Sequence, residues 1–188
     1  MRKKITKAAA IIIALSFAAT AIYYYLPQPR QEVEAPHDNI VAFQPDRDTN
    51  EILDIFKKDR YWLVSSDNYS PEFMLQNRAP NKEDARYFGK LNIKVLYEMD
   101  KFVGFIAYYM KNFFIGTILF IDVKSEFRGK GYAQQLMQHA IADLKKQGAS
   151  MVTLVTRTSN ESAQKLYKRL GFRVAHEDDG YVYFEIRP

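Results

Sequence analysis

The chain has 188 residues, of which 47% are hydrophobic, so it is long enough and apolar enough for one folded domain of ordinary size. It contains no cysteine, which excludes disulfides, thiolate metal sites and a cysteine nucleophile. The net charge of +5 arises in the first 30 residues, which hold five of the 27 basic residues and none of the 22 acidic ones. The remainder is formally neutral, so its charge gives no reason to expect nucleic-acid binding.

Residues 1–26 form an apolar leader with a basic start. Four basic residues between positions 2 and 7 precede an uncharged run of 19 residues, 8–26. This run is long enough for a membrane anchor, and the tyrosines at its end are typical of membrane interfaces. A cleaved signal peptide is the alternative, with residues 19–21 as its cleavage site. We therefore expect a membrane-associated protein, or one that is exported after cleavage.

Residues 27–38 are rich in Pro, Gln and Glu and are interpreted as a linker, so the folded domain is expected over 39–188. Asp48 or Thr49 is the predicted cap of its first helix. The order of elements indicates a mixed α/β sheet (α+β) with one parallel pair of strands. The sequence predicts a strand over 39–44, a helix over 51–58, a short helix from Ser70, strands over 93–98, 102–110 and 117–123, a helix over 133–144, a strand over 151–155, a helix ending at Gly171 and a hairpin over 172–186.

A basic turn with two glycines separates the strand over 117–123 from the next helix. It occupies residues 127–133 and reads Phe-Arg-Gly-Lys-Gly-Tyr-Ala. The free amides at a helix start favour an anion, and glycine lets a phosphate approach the backbone closely. Arg128 and Lys130 add positive charge. The turn is not a Walker loop, because Gly131 follows Lys130, and Gln134 stands where a dinucleotide fingerprint needs glycine. It predicts a phosphate site of another kind.

A second motif, residues 157–172, follows the strand over 151–155. Four of its residues between positions 163 and 170 recur at helical spacing and form one stripe. Thr158 with Glu161 fits a capping box, and Asn160 is a rival N-cap.

The two motifs together resemble those of the GNAT superfamily of N-acetyltransferases. The first is similar to that family's acetyl-CoA pyrophosphate loop, and the match is sharp over residues 118–172. The resemblance implies an acyl-CoA N-acyltransferase fold, in which two parallel strands splay apart around the pantetheine arm, here between 117–123 and 151–155. The second motif matches the signature Asn-x-x-Ala-x-x-x-Tyr-x-x-x-Gly-Phe at Asn160, Ala163, Tyr167, Gly171 and Phe172.

The resemblance also implies roles for individual residues. Tyr167 matches a position that protonates or hydrogen-bonds the leaving sulfur, and Asn160 matches one that contacts the cofactor. Core packing and helix capping are the alternative roles of these two side chains. The residues expected to bind acetyl-CoA are Ile121, Val123, Arg128, Gly129, Lys130, Gly131, Tyr132, Ala133, Asn160 and Tyr167.

The general base is not identified by the motifs. Val155 lies where many members that modify protein N-termini carry Glu or His, and valine cannot accept a proton. Asp122 is the predicted base and Glu98 the alternative, while a water chain or an amine that arrives neutral would also serve. The three histidines lack metal-ligand spacing, so no metal is expected. His176 is expected near the acceptor cleft.

The expected function is transfer of an acetyl group from acetyl-CoA to a primary amine of a small molecule or protein. One alternative is a membrane-tethered module that binds acyl-CoA without turnover. A second is transfer of a longer acyl or aminoacyl group. The expected partners are acetyl-CoA, the amine and, through residues 8–26, a membrane.

Overall fold

A computed structural model of the chain describes residues 39–65, 69–76 and 91–188, all of which belong to one compact unit. The mixed α/β class predicted from the sequence is confirmed. The elements are β1 (Ile40–Ala42), α1 (Pro45–Leu63), α2 (Pro71–Leu75), β2 (Asn92–Glu98), β3 (Lys101–Met110), β4 (Ile115–Val123), α3 (Tyr132–Lys146), β5 (Met151–Arg157), α4 (Glu161–Arg169), β6 (Arg173–Asp178) and β7 (Tyr181–Ile186).

The strands form one sheet in the order β1-β2-β3-β4-β5-β7-β6. Neighbouring strands are antiparallel except β4 and β5, which are parallel and are connected through α3. A parallel pair needs a long connection of this kind. Apolar cores cover both faces of the sheet: α3 and α4 pack on one face, and α1 and α2 pack on the other.

Helix α1 begins earlier than the sequence pattern predicts. Its first residue is Pro45, a favourable position because the missing N–H needs no partner there. The predicted cap Asp48 lies one turn inside the helix, so the predicted start at residue 51 is wrong. The fully buried carboxylate of Asp48 instead reaches back to the amide of Gln44, at 2.7 Å, and accepts from the Tyr97 hydroxyl.

The start of α4 decides between the two predicted caps. The side-chain oxygen of Asn160 accepts from the amide of Ala163 at 3.2 Å, so Asn160 is the N-cap. The Thr158 hydroxyl donates instead to the carbonyl of Gly180 at 3.1 Å. Thr158 therefore ties the turn before α4 to the β6–β7 hairpin.

The localisation predicted from the leader is corrected. Among the residues that the structure describes, none belongs to a helix that is both long and apolar enough to cross a bilayer. The predicted anchor (8–26) and linker (27–38) lie outside the described residues. For the described part of the chain the prediction of membrane association is wrong, and neither membrane attachment nor export is retained.

Candidate active site

A cleft opens through the sheet where β4 and β5 separate. The two strands pair only from Ile115 opposite Met151 to Thr117 opposite Thr153, where the two threonine hydroxyl oxygens lie 3.2 Å apart. Beyond this apex the strands diverge around a cavity of about 710 Å³. The gap expected from the resemblance is therefore present, with its apex at the threonine pair.

The loop between β4 and α3 presents open backbone to this cleft. Gly129 and Gly131 have φ angles of +78° and +87°, and a Cβ on either would meet nothing within 4 Å. Gly131 is the N-cap of α3 and has no side-chain cap. Within the described residues, the amides of 129–134 have no acceptor, and the first paired amide is that of Gln135. Such a run of free N–H groups at a helix start can hold an anion.

Arg128 does not direct its charge at this loop. Its Nε donates to the carbonyl of Val123 at 2.8 Å, and one terminal nitrogen lies 2.8 Å from Asp59 and 3.0 Å from Asp122. The guanidinium therefore joins α1 to the end of β4 and is balanced by two carboxylates. The ammonium of Lys130 lies 5.3 Å above the ring of Phe127. Because the charge of Arg128 is balanced, Lys130 supplies the positive charge of the loop.

Tyr167 lies on α4 at the cleft wall, on the face covered by α3 and α4. It is 6% exposed, and its ring packs against Phe172 and Phe184. Burial and the negative charge of Asp122 raise the pKa of the Tyr167 hydroxyl. Because of this raised pKa, the hydroxyl stays protonated at neutral pH. No described residue hydrogen-bonds it, so it is available as a donor.

Asp122 lies on β4 and faces the side of the sheet covered by α1. Its side chain is 12% exposed and accepts from the amide of Val123 at 2.7 Å. Burial raises the pKa of this carboxyl to about 6, with a further contribution from Asp59, while the attraction of Arg128 opposes the shift. Asp122 is therefore mostly ionised at neutral pH and can take up a proton.

The raised pKa of Asp122 predicts a stability change in Asp122→Asn. A carboxyl with an ordinary pKa of 3.8 and a folded-state pKa of about 6 favours folding while protonated, and this contribution is lost as the pH rises through 6. Asparagine cannot ionise, so at pH 8 the variant should be more stable than the parent by roughly 2–3 kcal/mol. The advantage should shrink to nothing below pH 4. Urea unfolding across this range measures it, and a pH-independent difference would contradict the assigned environment.

The family of the chain follows from comparison with known proteins. The model of the acetyltransferase (GNAT) family matches residues 49–172. The chain belongs to this family. The resemblance drawn from the two sequence motifs is thereby confirmed.

Curated relatives match the GNAT chain over part of its length. It is 35% identical over 92 residues to a ribosomal protein bS18-alanine N-acetyltransferase of Haemophilus ducreyi, which covers 49% of this chain and 60% of that protein. It is 28% identical over 100 residues to the mycothiol acetyltransferase of Corynebacterium efficiens, which covers 53% of this chain and 34% of that protein. The chain thus spans less than two thirds of either relative.

A solved structure shares the fold. The PaiA N-acetyltransferase of Thermoplasma acidophilum, determined in complex with coenzyme A, superposes with a TM-score of 0.62 at 16% identity. The match covers 79% of this chain and 98% of that protein. At this level of identity the likeness shows the fold, and the predicted GNAT fold is confirmed.

The GNAT cleft brings most of the predicted site residues together. Lys130 is in the loop but not on the cavity wall. The alternative base Glu98 ends β2 beside Tyr132 and does not line the cavity. His176 stacks on Tyr183 and does not line it either. The predicted residues that line the cavity are Ile121, Asp122, Val123, Arg128, Gly129, Gly131, Tyr132, Ala133, Asn160 and Tyr167.

Sequence reasoning missed a β-bulge in β4. Tyr108 pairs with Ile118 and Ala107 pairs with Phe120, so Leu119 between them has no partner on β3. Leu119 lines the cavity just beyond the threonine apex. A bulge depends on how two strands pair, so the residues of β4 carry no signal that would have found it.

Proposed function

We propose that this protein transfers an acetyl group from acetyl-CoA to the nitrogen of a primary amine. The observation that carries the proposal is that Tyr167 and Asp122 line the same cleft from opposite faces of the sheet, next to the free N–H groups of residues 129–134. Membership of the GNAT family supports it, as do the acetyltransferase names of the relatives.

The cleft suits acetyl-CoA on physical grounds. The free amides and the positive end of α3 offer a site for the pyrophosphate. Lys130, which has no ion pair among the described residues, adds positive charge there. Open space at Gly129 and Gly131 lets a phosphate reach the backbone. The gap of about 710 Å³ between β4 and β5 leaves room for the pantetheine arm.

The two side chains supply complementary proton transfers. When bound, acetyl-CoA supplies a thioester, whose carbonyl carbon bonds to the amine nitrogen as its C–S bond breaks. An amine that binds as ammonium first releases one proton to solvent, and Asp122 accepts the second proton, which the nitrogen loses as its bond to carbon forms. Tyr167 donates its hydroxyl proton to the sulfur, so CoA leaves as a thiol. Solvent then takes the proton from Asp122 and returns one to Tyr167, which restores both groups.

The bulge provides a candidate donor for the carbonyl oxygen. Leu119 has no partner on β3 and lies in the gap between the two faces. An N–H fixed at such a point can stabilise negative charge that develops on the oxygen, an effect often worth more than a proton transfer. We therefore include the Leu119 backbone in the proposed machinery.

Asp122 should determine the acidic limb of the pH profile. Burial raises the pKa of this carboxyl to about 6 in the free protein. With the amine saturating, kcat should fall about tenfold per pH unit below the pKa that the carboxyl has in the substrate complex, because the protonated carboxyl cannot accept a proton. Asp122→Asn should lower the plateau and remove this limb. The measurement is kcat against pH for both forms. A limb unchanged in the variant would assign it to another group.

A panel of amines tests the proposal as a whole. Peptides, polyamines, aminoglycosides and amino acids are each offered with acetyl-CoA, and released thiol is measured. Amine-dependent release supports transfer. Saturable binding of acetyl-CoA without release from any amine would instead support a binding module without turnover.

A further inference from the structure

An exposed apolar wall borders the cleft on the face that carries Asp122. Trp62, in the last turn of α1, lines the cavity and is 44% exposed. Val155 lines it from β5 and is 48% exposed. Exposed apolar side chains that adjoin a cleft commonly mark a ligand site.

Val155 faces this side because of the strand period. Its neighbours Leu154 and Val152 are buried in the core beneath α3 and α4, so alternate residues of β5 point to the α1 side. Tyr183 pairs directly with Val155 on the neighbouring strand β7. The apolar surface therefore continues from β5 on to β7.

The wall is held in place by Arg157. Its guanidinium donates to the carbonyls of Tyr61, at 2.7 Å, and Val64, at 3.0 Å, and so fastens the end of α1 to β5. It also lies between two rings, 4.3 Å from the centre of Tyr61 and 5.3 Å from that of Tyr181. The ring of Tyr61 meets that of Trp62 edge to face at 4.8 Å. Trp62 thus belongs to a surface whose backbone is fastened to β5.

The carboxylates at the Asp122 end of the wall favour a cation there. Asp59 and Asp122 share the single guanidinium of Arg128, so the three groups together carry a net negative charge when both carboxylates are ionised. An ammonium group is attracted to these carboxylates. Arg157 places a positive charge at the Tyr61 end of the wall, so the attraction is confined to the end near Asp122.

We infer that the acceptor is a small primary amine whose carbon skeleton bears an aromatic or bulky apolar group. The inference rests on the proposed acetyl transfer and names the acceptor class for the same cleft. The amine end lies toward Asp122, and the apolar end packs against Trp62 and Val155. A polar skeleton would gain no burial of apolar surface against these two side chains.

Two amines of similar basicity test the inference with the full chain: 2-phenylethylamine and 3-methoxypropylamine. Burial of the phenyl ring predicts a higher kcat/KM for the aromatic amine by roughly ten- to a hundredfold. Trp62→Ala should lower kcat/KM for the aromatic amine about tenfold, mainly through KM, and should leave the polar amine unchanged. Trp62→Phe should retain most of the preference.

A control variant and a comparison of the two amines separate this role from folding and from the transfer reaction itself. Phe113, which is 88% exposed in the β3–β4 turn, is a matched exposed aromatic, and Phe113→Ala should leave both amines unchanged. An equal loss for both amines in Trp62→Ala, or an equal or better rate with the polar amine in the parent, would overturn the acceptor class while transfer stands. Acetyl-CoA binding without thiol release from either amine, or from the wider panel, would overturn both proposals.

Discussion

Gly131→Glu is expected to weaken acetyl-CoA binding by at least about a hundredfold, because a carboxylate beside the pyrophosphate costs several kcal/mol of like-charge repulsion. The new side chain would also fill the open space in front of the loop amides. The left-handed backbone at this position, with φ +87°, adds about 1–2 kcal/mol of strain for any L-residue. Calorimetric titration with acetyl-CoA measures the loss, and circular dichroism checks that the domain stays folded.

The matched control is Gly148→Glu. Gly148 lies just past the other end of α3, also has a positive φ, +101°, and is remote from the loop. It carries the same strain and the same added charge, so it should lose stability but keep acetyl-CoA affinity. Arg128→Ala should weaken binding less than Gly131→Glu, since the Arg128 side chain is engaged by Asp59 and Asp122. Equal affinity in Gly131→Glu and the parent would remove the phosphate-loop assignment.

Tyr167→Phe is expected to lower kcat by roughly ten- to ten-thousandfold, the usual range for assistance by an acid. Phenylalanine keeps the packing against Phe172 and Phe184 and removes only the hydroxyl. Acetyl-CoA affinity and the free energy of unfolding should therefore change little. Steady-state kinetics with acetyl-CoA and the best amine of the panel give kcat, and urea unfolding gives the free energy of unfolding.

Tyr108→Phe provides the opposite pattern. Tyr108 is also buried beneath α3, but its hydroxyl donates to Asp143 at 2.6 Å in a partly buried hydrogen bond. Its removal should cost about 1–3 kcal/mol of stability, because a partner in a partly buried charged hydrogen bond is lost, and should leave kcat unchanged. If Tyr167→Phe behaved like Tyr108→Phe, Tyr167 would be a core residue, and full activity would show that the sulfur leaves without help.

The parts of the site that depend on short stretches of chain could be predicted from the sequence. The loop at 127–133 and the helix that carries Tyr167 are each defined by residues within one or two turns of one another. The spacing of these residues along the chain therefore indicates where each helix starts and that the amides of the loop are exposed. Asn160 belongs to the same class, since a cap acts on an amide three residues away.

Contacts between distant residues decided the rest. The sequence predicts Arg128 as a phosphate ligand. In the structure its guanidinium pairs with Asp59, 69 positions away, and does not point at the loop amides. The bulge at Leu119 depends on the register with β3. The sequence predicts a first helix that ends at residue 58, before the non-helical Asp59, and this prediction leaves Trp62 outside the helix. Arg157, 96 positions beyond Tyr61, holds the continuing turn in place.

Mass balance of the reaction tests the central claim most directly. The full chain is incubated with acetyl-CoA and the best amine of the panel, and free thiol and acetylated amine are quantified in the same samples over time. We predict that thiol appears only when the amine is present and that one acetylated amine forms for each thiol released, with both rates lowered together in Tyr167→Phe. Thiol release without acetylated amine, or saturable acetyl-CoA binding with neither product, would contradict an amine acetyltransferase.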